Sequence, residues 1–237
     1  IDSKTKLLGS LVFLTILAHL LIWPIMDFSE GKIWIYANTR LPLYKLFNPS
    51  VDGGYFEHFQ YILLSWSAAL SFLICLRQNK LVYPIPIIYL FLFIDDSFGI
   101  HDRAFQGILI PFYEKTILST FTIVRIKDFA EISYWIFIFF VILLIIFPAL
   151  KYGNFTSRKF ISNNFKFFIS LAFFASFIDL IESNIFRWIY LKESSLLFYI
   201  VSGFFIILEE AGEIMVISLS FLWLFDIVTN KKLIKIK

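Results

Sequence analysis

Residues Phe91 to Arg103 read FLFIDDSFGIHDR. The stretch before the acids, Ile87 to Ile94, is apolar apart from the hydroxyl of Tyr89. Asp95 and Asp96 are therefore reached after about 20 Å of helix counted from Lys80, at the end of a segment otherwise fit only for lipid. A lone charge at the bilayer centre costs roughly 3 kcal/mol on insertion scales, so carboxylates placed there mark a functional site unless packing explains them.

The rest of the chain supports a membrane reading. Of 237 residues 59% are hydrophobic and only 16% charged, with a mean hydropathy of +0.79, against roughly 25% charge in a soluble domain. Apolar runs near the ~20 residues that cross a ~30 Å hydrocarbon core recur at about 7–26, 56–76, 82–100, 131–150, 165–186 and 198–226. They lack the period-two alternation of a barrel strand, and lipid demands that backbone groups be satisfied within each segment. The expectation is an all-α, polytopic bundle of six transmembrane helices, forming a single domain over residues 1–237. The first run is too long for a signal-peptide core and is read as a retained span. Cys75 stands alone, which excludes a disulfide framework.

Charge orients the bundle. With a cytoplasmic N-terminus the inner segments hold Lys4, Lys6, Arg77, Lys80, Lys151, Arg158, Lys159, Lys166, Lys231, Lys232, Lys235 and Lys237, which is 12 of the 21 basic residues. The positive-inside rule then places both termini in the cytoplasm of a multi-pass cell-membrane protein. The basic run at 151–166 is a topology signal, and nucleic acid is not an expected partner. Of the 18 acids only Asp2 and Asp226 fall on the inner side.

The acids concentrate on particular helices. Glu57 and His58 open the second span, and Asp179 and Glu182 lie one turn apart in the fifth, followed by Arg187. In the sixth, Glu209, Glu210 and Glu213 fall within an arc of about 100° and, if the helix starts near Phe198, about 16 to 22 Å below its outer end. His19 in the first span reads as a packed residue. The fourth span has no polar group in its core run and reads as a lipid-facing strut, and 101–130 as an outer loop with an amphipathic piece.

Carboxylates crowded in low dielectric must either share protons or bind a cation. Carboxylate oxygen with neutral imidazole suits zinc, manganese or iron, and helical bundles build two-metal sites from such donors. The expected ligands of a divalent metal are Asp95, Asp96, His101, Glu209 and Glu213, then His58 and Glu182. Asp96 and Glu210 are the candidate catalytic carboxylates. The chemistry such a site performs is hydrolysis of a lipid-like or interfacial substrate by activated water. Without metal the same acids describe a cation- or proton-coupled transporter, and a membrane sensor or assembly subunit is the third class.

Asp95-Asp96-x4-His101-Asp102 resembles the Asp-Glu-x4-His-Glu motif, usually preceded by Phe-Leu-Ser, of a bacterial family of uncharacterised multi-span membrane proteins. A later helix of that family carries Glu-Glu-x-x-Glu-Met, which Glu209, Glu210, Glu213 and Ile214 resemble. The resemblance implies a multi-span bundle and brings no activity with it. A weaker similarity in kind is to the alkaline ceramidase-like membrane zinc hydrolases, whose paired-His helix is absent here.

Overall fold

A computed structural model describes residues 3–18, 54–77, 80–114, 126–178, 180–181 and 195–230. Every described element is helical. Helix α1 covers 3–18. Four more follow: α2 Tyr55–Arg77, α3 Pro84–Phe98, α4 Ile126–Tyr152 and α5 Phe155–Ala172, the last running on as a π-helical turn over Phe173–Ile178. Helix α6, Ser195–Thr229, is the longest at 35 residues. Among the described residues, Tyr55–Arg77, Phe129–Tyr152, Phe155–Ile178 and Ile207–Thr229 are long and apolar enough to cross a membrane. Of the two other expected spans, the first is described only to residue 18, and α3 has 15 residues, about 22 Å of rise.

Local chemistry explains where these helices begin and end. Pro84 and Pro86 start α3, where a missing N–H costs nothing. Gly99 stops it in the left-handed region, φ 54 and ψ 46, with its N–H turned back to the carbonyls of Asp95 and Asp96. A β-carbon there would be strained. Within the outer loop expected over 101–130, helical turns run through Ile100–Ala104, a π-helical Phe105–Leu109 and Ile110–Glu114, and residues 115–125 lie outside the described ones. The inner segment expected at 151–166 is helical except at Gly153 and Asn154. Asn154 caps α5 by accepting from the Ser157 N–H at 2.8 Å, a standard N-cap, so Arg158 and Lys159 are exposed residues of the first helical turns. Pro148 lies inside α4.

The helices from α2 to α6 alternate in direction. One end of the bundle gathers the start of α2, the end of α3, the start of α4 and the end of α5 around a polar cavity. The opposite end carries the exposed Arg77, Lys151, Arg158 and Lys159.

Between these ends lies a buried polar clasp. The Tyr89 hydroxyl of α3 donates to Asn164 Oδ1 of α5 at 2.9 Å and shares a second hydrogen bond with Ser220 of α6. Asn164 Nδ2 donates to the Phe160 carbonyl at 2.9 Å. All three side chains are buried, and polar groups so placed join helices that hydrophobicity alone cannot hold together in lipid. Asn164→Leu should lower bundle stability by about 1–2 kcal/mol, read from the unfolding midpoint in mixed detergent micelles. A double-mutant cycle with Tyr89→Phe should show the two costs to be less than additive.

Candidate functional site

Asp95 sits at the inner wall of the cavity with 1% of its surface exposed. A carboxylate that deep needs donors, and it has two. Tyr134 of α4 donates its hydroxyl to Oδ1 at 2.6 Å, and His101 Nδ1 lies 3.0 Å from Oδ2. The Gly99 turn makes the second contact possible by folding the chain back so that a residue six positions on reaches Asp95. The His101 ring also lies 6.0 Å from that of Trp135 and 6.4 Å from that of Tyr134, so aromatic walls hold its plane.

Around this pair opens a cavity of about 610 Å³. It is lined by seven carboxylates, Glu57, Asp95, Asp96, Glu131, Glu209, Glu210 and Glu213, and by His58 and His101. No Lys or Arg among the described residues lines it. Tyr61 ties two walls together, its hydroxyl donating to Glu57 and lying 3.3 Å from the Asp96 carbonyl oxygen. None of the acids stands isolated: Glu57, Asp96, Glu131, Glu209, Glu210 and Glu213 each make a further contact within the protein.

The two imidazoles are fixed in the same way from different helices. His58 Nδ1 is 2.9 Å from the Gly54 carbonyl, one turn back at the start of α2. A carbonyl only accepts, so Nδ1 carries the proton and the lone pair is on Nε2. With Tyr134 donating to one Asp95 oxygen, the other accepts the Nδ1 proton of His101, which sets the same tautomer. An imidazole whose Nδ1–H is held by a carboxylate or a carbonyl is the arrangement that orients metal-ligating histidines. The donor set of imidazole nitrogen and carboxylate oxygen therefore fits zinc, manganese or iron. Among the described residues, however, no three His, Cys, Asp or Glu side chains already form a metal shell.

Helix α6 supplies the opposite wall. Glu209, Glu210 and Glu213 lie in the first two turns of its membrane-compatible stretch, Ile207–Thr229. Counted along α6 itself, which starts at Ser195, they lie about 21 to 27 Å from its beginning. At Gly212, among these acids, a β-carbon would collide with the Phe174 ring. Phe174 belongs to the π-helical turn, a feature frequent at functional sites, and that turn also brings Ala175 to the cavity.

Of the residues expected from sequence, Asp95, Asp96, His101, Glu209, Glu213, His58 and Glu210 all line this one cavity. Glu182, Asp179, Arg187 and His19 lie outside the described residues. The correction concerns α4. It is no mere strut, since Tyr134 bonds Asp95 and Glu131 and Trp135 line the cavity, while Ile138, Ile142 and Ile146 are buried in the core. Glu131 lies at the edge of the apolar run, where a charge reads as interfacial, and Tyr134 is one of 11 tyrosines in an aromatic-rich chain.

Compared with protein-family models, with curated proteins and with solved structures, the chain matches none.

Proposed function

We propose that the chain is a six-span cell-membrane protein with both termini cytoplasmic, and that its acidic cavity is the divalent-metal site of a hydrolase acting on lipid-like or interfacial substrates. The observation that carries this reading is the pair of histidines, His58 and His101, each held at Nδ1 and each lining a cavity rich in carboxylates and free of Lys and Arg among the described residues. Seven carboxylates cannot all be ionised side by side in a partly desolvated space without a cation or shared protons. Imidazole lone pairs favour the cation.

In this reading His58 and His101 hold the metal through Nε2, with Glu209 and Glu213 as oxygen ligands. Asp95, both of whose oxygens already have protein partners, orients His101 instead of ligating. Asp96 and Glu210 remain as general bases able to take a proton from the attacking water. A metal bound there supplies Lewis acidity and an acidified water at neutral pH.

Purified wild-type protein should retain about one or two zinc, manganese or iron ions per chain after removal of loosely held ions. Elemental analysis is the measurement, with the double variant His101→Ala, Glu213→Gln expected to lose most of the metal. Metal-free wild type, prepared at neutral pH without chelator, would remove the hydrolase reading and leave cation- or proton-coupled transport ahead.

Orientation has its own test. Asn154→Cys, at the turn between α4 and α5 beside Lys151 and Arg158, should resist a membrane-impermeant thiol reagent in intact cells and react after permeabilisation. Labelling in intact cells would put the cavity on the cytoplasmic side.

A further inference from the structure

The acidic cavity is not closed off from the apolar part of the bundle. Leu92, Trp135, Leu171 and Ala175 line both it and a narrow apolar cleft between α4 and α5. The enclosed part of the cleft is small, about 50 Å³, but its lining runs along α5 from Ala175 back to Phe165, about 15 Å at 1.5 Å per residue. That is half of a ~30 Å hydrocarbon core, the depth of one leaflet. Its lateral edge faces outward: Phe139 is 39% and Ile169 48% exposed, and Ala172 between them leaves room.

The cavity into which the cleft opens holds two donors that lack acceptors among the described residues. Gln60 is 3% exposed and lines the cavity, yet its Nε2 makes no hydrogen bond among the described residues. Ser97 Oγ, on α3, lines the same cavity and is likewise buried and unbonded. An amide N–H kept dry beside a carboxylate-rich cavity is costly unless a ligand oxygen meets it.

We infer that the cleft takes one acyl chain of a lipid that slides in sideways between α4 and α5, while Gln60 holds the carbonyl oxygen at the head of that chain in the cavity. The substrate class is a lipid with a carbonyl-linked chain, ester or amide. This deepens the hydrolase reading and rests on it for the reaction, though not for the binding.

The test uses whole protein in phosphatidylcholine nanodiscs doped with an ester-linked phospholipid carrying a photoactivatable diazirine midway along one chain. Crosslinks are mapped by mass spectrometry. Label on Ile138, Phe168 and Ile169 should exceed that on Phe140, Leu144 and Phe147, lipid-exposed positions of helix α4, several-fold. Ala172→Phe should abolish the excess and leave the outer labelling as it was. Gln60→Leu should lower cleft labelling about three- to tenfold, the worth of one hydrogen bond, for the ester probe but not for an ether-linked probe that lacks the carbonyl. Even labelling of both faces of wild type would mean annular lipid only and overturn the inference, as would cleft labelling that survives Ala172→Phe. Equal behaviour of ester and ether probes would overturn the role of Gln60. Wild type that labels in the cleft but holds no metal would sink the hydrolase reading and leave this one standing.

Discussion

Asp95→Ala is expected to destabilise the bundle by about 2–4 kcal/mol, because it strands one buried donor and one part-buried donor, a buried one being worth roughly 1–3 kcal/mol when left without an acceptor. The donors are the Tyr134 hydroxyl, 2.6 Å from Oδ1, and His101 Nδ1, 3.0 Å from Oδ2. Unfolding in mixed micelles reads the loss, and adding Tyr134→Phe to Asp95→Ala should restore part of it by removing one stranded donor. Asp95→Asn separates fold from function. Its amide oxygen still accepts from Tyr134, but its N–H2 now faces His101, which must move its proton to Nε2 to accept. Stability should fall much less than for alanine, while metal retention should drop about 10- to 100-fold, the usual cost of losing the group that orients a ligating histidine. An Asp95→Asn variant that binds metal as tightly as wild type would show that the His101 tautomer is irrelevant to the site.

The second large effect is expected at Gly212. Alanine gains about 1 kcal/mol of helix propensity over glycine in a helix interior, so a site with room would be stabilised by the change. Here the Phe174 ring occupies the space, and overpacking of this kind costs about 1–3 kcal/mol. Gly212→Ala should therefore be destabilising on balance and Gly212→Leu severely so. Because Glu209, Glu210 and Glu213 flank this contact on α6, pushing α5 and α6 apart should also reduce metal retention. Phe174→Leu in the Gly212→Ala background should recover both. A Gly212→Ala variant stabilised by about 1 kcal/mol would mean that the ring turns aside at no cost.

Much of the cavity lining was legible from sequence because carboxylates interrupting apolar runs are conspicuous. Asp95, Glu209 and Glu213 could hardly be read otherwise. What escaped was the neutral half of the site. Tyr134, Trp135, Gln60 and Ser97 carry no charge, sit in helices that read as ordinary spans, and acquire their roles only from what the neighbouring helix places opposite them. Glu131 escaped for the opposite reason, being one charge among several in a mixed segment. Helix limits erred where charge was taken for loop. Arg158 and Lys159 begin α5, and the Asn154 cap three residues before Ser157 was the available signal. The all-helical architecture was legible from composition and run length, and α3, Pro84–Phe98, lies within two residues of the expected 82–100 at each end.

Pro148 gives the site a mechanical property. Lacking an N–H, it cannot bond the carbonyl one turn earlier in α4, so the helix is weakest in bending there. From it toward the cavity the helix is a lever arm, and Tyr134, about 14 residues away, stands about 21 Å from the proline. A bend of only about 5° at the proline sweeps the Tyr134 hydroxyl through roughly 2 Å, enough to break its bond to Asp95 and to part α4 from α5. The hydrogen bond at one end of the arm thus opposes bending at the other.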